Sequence, residues 1–213
     1  MKVYGLIALL SYLLGSIPTG YLVARAKGID IRSVGSGNIG ATNAFRVLGK
    51  PAGILVLGVD ALKGWVAVRI LALWCVDKFM EYDLSGGNRE IAAIIAAVCA
   101  VLGHNYTCWL RFKGGKGIAT SAGVLTALVP WALLIIFGIW IILFAITRFV
   151  SVGSLAASFT LPFATWITTR NWTLTAATGA MGVLAIYRHK ANIERLLKGT
   201  EPRFGRKKPE AAK

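Results

Sequence analysis

The chain has 213 residues, of which 56% are apolar and only 15% charged, and its mean hydropathy is +0.64. A soluble domain of this length carries about a quarter of its residues as charge, so the deficit excludes an ordinary fold surrounded by water. In such a fold a net charge of +15 would suggest a nucleic-acid binder; here it points to membrane topology, and no nucleic-acid partner is expected.

Seven apolar runs follow along the chain, at 4–24, 51–76, 91–110, 118–129, 131–147, 152–169 and 171–187. A membrane helix takes about 17–25 such residues. The reading is an all-α integral membrane protein with seven transmembrane helices in a single domain, 1–213. The first run is read as a retained helix, because no small-residue cleavage site ends it. The run at 118–129 is short, and Pro130 marks a tight turn into the next. Placing the N-terminus outside puts 25–50, 111–117, 148–151 and 188–213 in the cytoplasm, and these segments hold 18 of the 24 Lys and Arg. The positive-inside rule therefore gives an outside N-terminus and a cytoplasmic C-terminus. The loop at 77–90, with Glu81 and Asp83, falls outside. The basic tail at 200–213 contains two prolines and is expected to fray. Cys75, Cys99 and Cys108 match no metal spacing and read as small packing residues.

Loops this short leave no room for a soluble catalytic domain, so chemistry belongs at the membrane surface. Four polar segments carry it. The first is Ser36-Gly37-Asn38-Ile39-Gly40-Ala41-Thr42-Asn43 with Arg46, whose glycines allow turns that converge N–H groups on an anion. Gly35, Gly37 and Gly40 also spell a dinucleotide fingerprint, but an apolar helix precedes them instead of a strand. The second runs from Gly103-His104-Asn105-Tyr106 to Phe112-Lys113-Gly114-Gly115-Lys116-Gly117. It is no Walker motif, because Gly117 stands where Ser or Thr is needed. It does put two lysines and a Gly turn at the start of the next helix, where free amides and the helix dipole favour phosphate.

The third segment, Arg148 to Ser154, repeats Arg148, Ser151 and Ser154 on one face, and Ser151 is expected to cap the helix. The fourth, Arg188 to Glu201, brings His189, Asn192, Ile193 and Leu196 together as a surface helix. His189 and Glu194 diverge by about 140° on such a helix and form no dyad. Inside the second apolar run, Asp60 and Lys63 lie three apart and are expected to pair. Physics alone stops at a membrane enzyme or transporter handling organic phosphates. The transporter is disfavoured because the polar motifs gather on one face and not at the midplane.

Ser36 to Asn43, Gly103-His104-Asn105-Tyr106 with Phe112 to Thr120, and Arg188-His189 with Asn192-Ile193, Arg195-Leu196, Gly199 and Glu201 together resemble the bacterial acyl-phosphate:glycerol-3-phosphate acyltransferase (PlsY) family. The resemblance runs in family order from the first helix to Glu201. It implies acyl transfer from acyl phosphate to the 1-hydroxyl of sn-glycerol 3-phosphate, giving lysophosphatidic acid and inorganic phosphate, the first step of phospholipid synthesis. It also implies seven helices, no metal or other cofactor, no use of coenzyme A, and a multi-pass place in the bacterial inner membrane with the site on the cytoplasmic side. The implied site residues are Ser36, Asn38, Thr42, Asn43, Arg46, His104, Lys113, Gly114, Gly115, Lys116, Ser151, His189, Asn192 and Glu201. Ser36, Lys116 and His189 are the catalytic candidates. His189 is one candidate base and a phosphate oxygen of the donor is the other, which the resemblance favours.

Overall fold

The computed structural model describes residues 2–80 and 87–205. Glu81 and Asp83 of the expected outer loop, and the tail from 206, lie outside the described residues. The described chain is helical throughout, without strands. Helix α1 (Lys2–Ser16) stops where Pro18 offers no N–H and biases Ile17 out of helical geometry, and the chain resumes as α2 (Thr19–Arg25). A short helix α3 (Ala41–Leu48), unforeseen in the sequence, closes the first polar motif. Next come α4 (Lys50–Val66), a π-helical stretch (Ala67–Ala72) and α5 (Leu73–Phe79). Pro51 occupies the first turn of α4, where its missing donor costs nothing. There follow α6 (Gly87–Asn105), α7 (Ile118–Leu128), α8 (Pro130–Thr147), α9 (Val150–Thr169), α10 (Trp172–Arg188) and α11 (Lys190–Leu197).

All seven apolar runs are thus helical. Lys2–Arg25, Gly87–Leu110, Pro130–Thr147 and Val150–Thr169 are long and apolar enough to cross a membrane by length and composition. Their outer surfaces match that solvent. Helix α8 buries only Ala132 and Ile136, while Trp131, Leu134, Ile142 and Ile146 are exposed. An apolar patch this continuous marks a surface made for lipid or for a partner, and helical length decides for lipid. The protein is a multi-pass membrane protein.

Two groups of helices build the molecule. In the first, α1 packs on α6 and α4 on α7, with the π-helical stretch between them. These crossings rest on small residues. A Cβ on Gly103 would enter the backbone of Tyr12, and one on Gly123 the carbonyl of Ala61. Bare backbone lets helices approach closely enough for dispersion to hold them where lipid removes the hydrophobic drive. In the second group α9 packs between α8 and α10. The groups meet along a thin seam, α6 with α10 and α7 with α8. A cavity opens along it.

Candidate active site

The cavity has a volume of about 470 Å³. Its deep part is apolar, walled by Leu125 of α7, Leu133 and Ile136 of α8, Leu161 of α9 and Met181 of α10. Its mouth is polar, with Ser36, Asn38, Thr42, Arg46, Lys116, Ser151, His189, Asn192, Arg195 and Glu201. Four helices begin at this mouth. Ala41 and Thr42 open α3, Ile118 and Ala119 open α7, Val150 opens α9, and His189 precedes α11. The first amides of a helix have no carbonyl one turn below, so the mouth carries unspent donors and positive dipole ends.

The local sequence explains each placement. Asn43 is buried at the centre of the first motif. Its Oδ1 accepts from the Ser36 amide at 2.9 Å, and its Nδ2 donates to the carbonyls of Ile31, Val34 and Asn38. Asn43 therefore shapes the loop and does not line the cavity. The Gly40 amide bonds Asn38 Oδ1 at 2.8 Å, and the Gly37 amide the Val34 carbonyl at 3.0 Å. Three amides of the expected nest, those of Ser36, Gly37 and Gly40, are thus spent internally, and the first amides of α3 add donors beside it.

In the second motif the amides of Gly114 and Gly115 bond the carbonyls of Asn105 and His104 at 3.1 and 3.0 Å. Their own carbonyls accept from the Arg188 guanidinium, which also lies over the Tyr106 ring. Gly114 and Gly115 are therefore a clamp behind Lys116. Gly117 has φ +80°, a left-handed turn that costs a glycine nothing, and it starts α7. Lys113 is exposed and does not line the cavity.

Lys116 reaches into the mouth and donates to Asn192 Oδ1. Burial pulls its ammonium down to about 8, against the pull of Glu201 and with the push of Arg195, Arg188 and Arg46. Glu201 is the hub of the third and fourth motifs. It accepts from Ser151 Oγ and Asn192 Nδ2 at 2.7 Å each, and from Arg195 Nε at 2.7 Å. Burial raises its carboxyl, but these donors outweigh burial and leave it below the ordinary value. Ser151 is accordingly not the cap of α9. Phe149 holds that position without a side-chain bond.

The expectation of a frayed tail from Thr200 fails for its first residues. The Phe204 amide bonds the Arg148 carbonyl at 2.9 Å, and its ring meets Phe45 and Phe144 edge-on. His189 Nδ1 lies 2.7 Å from the Ala185 carbonyl and so carries the proton that bonds it. Burial, then the charge of Lys116, hold His189 down to about 4, so the ring is neutral.

Below the mouth, Asp60 and Lys63 pair at 2.8 Å with side chains only 2% and 4% exposed. Thr19 Oγ1 donates to Asp60, and Lys63 Nζ donates to the Ile17 carbonyl at the Pro18 break, which also accepts from the Thr19 amide. Asp60 and His104 both line the cavity. Phe204 and Asp60 were not among the residues expected at the site. Arg195 reads in the sequence as one of the cations of the cytoplasmic face, though not among the residues the resemblance implies, and it lies three residues from Asn192 on one helix face.

Comparison with known proteins decides what this arrangement belongs to. The family described as glycerol-3-phosphate acyltransferase matches residues 5–199. The chain belongs to that family. A glycerol-3-phosphate acyltransferase of Thermosynechococcus vestitus is 45% identical over 204 residues, covering 95% of this chain and 96% of the relative. One of Fusobacterium nucleatum is 41% identical over 196 residues, covering 92% and 95%. Crystal structures of PlsY, an integral membrane glycerol 3-phosphate acyltransferase, are similar in fold. Its glycerol 3-phosphate form has a TM-score of 0.82 at 39% identity over 95% of this chain and 96% of that one. Its lysophosphatidic acid form has a TM-score of 0.80 at 38% identity over 95% of each. The cavity described above is thus set in the frame of a membrane acyltransferase of phospholipid synthesis.

Proposed function

We propose that the protein transfers a fatty acyl group from acyl phosphate to the 1-hydroxyl of sn-glycerol 3-phosphate, releasing lysophosphatidic acid and inorganic phosphate. The work is done at the cytoplasmic face of the bacterial inner membrane, in a bundle of seven crossings with the N-terminus outside. The observation that carries this reading is a single cavity whose cationic mouth continues into an apolar groove. One substrate must be anionic, and one must be anionic at one end and greasy along its length.

Two phosphorylated substrates repel one another. Lys116, Arg46 and Arg195, with the helix starts, offset that repulsion and hold the hydroxyl beside the carbonyl, so positioning supplies much of the acceleration. The hydroxyl oxygen bonds the acyl carbon, the anhydride C–O bond breaks, and phosphate leaves with the bonding pair. The hydroxyl proton goes to an oxygen of the departing phosphate. Charge grows there as the bond breaks, whereas a His189 ring held near 4 is a weak base. His189 offers its bare Nε2 as an acceptor that orients the hydroxyl.

Coenzyme A esters are expected to be poor donors, because the polar mouth is built, among the described residues, from short turns and helix ends without a platform for an adenine ring. The test is purified protein with glycerol 3-phosphate and either palmitoyl phosphate or palmitoyl-coenzyme A, following lysophosphatidic acid by mass and free phosphate by colour. Product from the phosphate donor alone supports the reading, and efficient turnover of the thioester defeats it.

A further inference from the structure

The chain has two histidines, His104 and His189, and both stand on the wall of the same cavity. Their hydrogen bonds differ in a way that fixes where each proton sits. Lys63 has three N–H donors and three neighbours: Asp60 Oδ1 at 2.8 Å, the Ile17 carbonyl at 2.8 Å and His104 Nδ1 at 3.1 Å. The carboxylate and the carbonyl can only accept. With Asp60 beside it the amine stays an ammonium, so its third proton points at His104 Nδ1. An ammonium has no lone pair to offer, and Asp60 Oδ1, 3.7 Å from the same nitrogen, is too far to accept a proton from it, so His104 Nδ1 supplies the lone pair. His104 is then neutral, and its ring proton resides on Nε2.

The Nε2 edge of the ring lies against Gly115, where an added Cβ would collide with it, and has no hydrogen-bond partner among the described residues. At His189 the pattern is reversed. Nδ1–H is spent on the Ala185 carbonyl and Nε2 has no hydrogen-bond partner among the described residues.

We infer that the Asp60–Lys63 pair locks His104 as the Nε2–H tautomer, so that the cavity presents a neutral donor from His104 and a neutral acceptor from His189. Asp60 and Lys63 are positioning residues that act through His104. The ligand the donor suits is a phosphate oxygen held beside the Gly-Gly-Lys turn, and this assignment rests on the proposed phosphate chemistry. A neutral donor adds a hydrogen bond to a dianion without adding another charge to a mouth already crowded with cations.

This explains why an ion pair is buried at all. A charge deep in a bilayer costs about 2.5–3.5 kcal/mol on insertion scales, which is hard to justify for packing alone. The pair sits beside the Pro18 break, where the Ile17 carbonyl, which also accepts from the Thr19 amide, takes one of the three lysine protons.

The experiment is a long-range proton–nitrogen spectrum of protein labelled with 15N-histidine, with His104→Gln and His189→Gln assigning the two rings. The expected result is two opposite tautomers: protonated Nε2 with bare Nδ1 at His104, and the reverse at His189. A protonated Nδ1 at His104, or an imidazolium there at neutral pH, overturns the inference. Lys63→Met is expected to release the His104 tautomer; if that variant does not fold, the wild-type spectrum still decides.

Titration with glycerol 3-phosphate, and separately with inorganic phosphate, should move the His104 Nε2–H resonance, and a resonance that ignores both removes its ligand role. A glutamine amide nitrogen reaches the place of Nε2, whereas an asparagine reaches only Nδ1. His104→Asn should therefore fall about tenfold below His104→Gln in kcat/KM, the worth of one charge-assisted hydrogen bond. Equal loss in both overturns the donor role. The spectra need no acyl donor, so a failure of the acyl-phosphate reading leaves the tautomer result standing.

Discussion

Lys116 concentrates the electrostatics of the mouth. Lys116→Ala should lower kcat/KM by a factor of about 10 or more, given about 1.5–3 kcal/mol for a hydrogen bond to a charged group. Folding should survive, because the side chain reaches into the cavity and, among the described residues, bonds Asn192 alone; unchanged kinetics in a folded variant would refute the assignment. Its depressed ammonium also sets a pH limit. With a value of about 8 in the free enzyme, the cation is present below that pH and lost as pH rises through it, so kcat/KM should decline on the alkaline side from about 8. Glu201 works to retain that charge, while Arg195, Arg188 and Arg46 work to remove it. Lys116→Arg keeps its charge at any working pH and should carry the alkaline limb upward by more than about one unit; a limb that stays in place assigns it to another group. Lys116 and His189 were legible in the sequence because a Gly turn and a helix start need few neighbours to be understood. Asn43 was not: the same residue type serves a ligand or its own loop, and only three-dimensional neighbours tell which.

At the scale of elements, the seven apolar runs were legible because lipid demands length and hydropathy, which single residues display. Helix α3 was hidden behind glycines that suggest loop. The Phe204 anchor was hidden as well, because a polar tail with prolines carries no periodicity to mark one aromatic ring. That strap makes a prediction. Phe204→Ala removes ring contacts to Phe45 and Phe144, which join α3 to α8 across the mouth. Aromatic pairs contribute about 0.5–1.5 kcal/mol each, so KM for glycerol 3-phosphate should rise several-fold while the protein stays folded. An unaltered KM would show that the strap is only packing. The crossing of α4 with α7 predicts the opposite kind of failure. Gly123→Leu drives a side chain into the Ala61 backbone, and overpacking costs about 1–3 kcal/mol or more. Folded yield and melting temperature in detergent should both drop, with the residual folded fraction retaining its KM. Normal melting would mean that the helices cross further apart than described.

For the whole molecule, orientation is testable directly. Reporter fusions after Lys50, Gly117 and Glu201 should read cytoplasm, and one after Arg170 the outside; a cytoplasmic signal from Arg170 would break the seven-crossing arrangement. The same arrangement has a kinetic corollary. Leu57 on α4 and Phe137 on α8 line the cavity and are 46% and 53% exposed. Side chains this exposed on the cavity wall suit an apolar groove that opens sideways to lipid, with the proposed phosphate-binding end at the water. In the proposed reaction one substrate arrives through three dimensions and the other through two. For the lipid-borne donor, the quantity that governs occupancy is its mole fraction in the bilayer, not its amount per litre. Diluting the vesicles with inert phospholipid should slow the reaction at constant bulk donor, whereas diluting the whole suspension with buffer at fixed glycerol 3-phosphate should leave turnover per enzyme unchanged. On the same proposal the product keeps its acyl chain in the groove and leaves sideways without passing through water, so the membrane serves the enzyme as both store and sink.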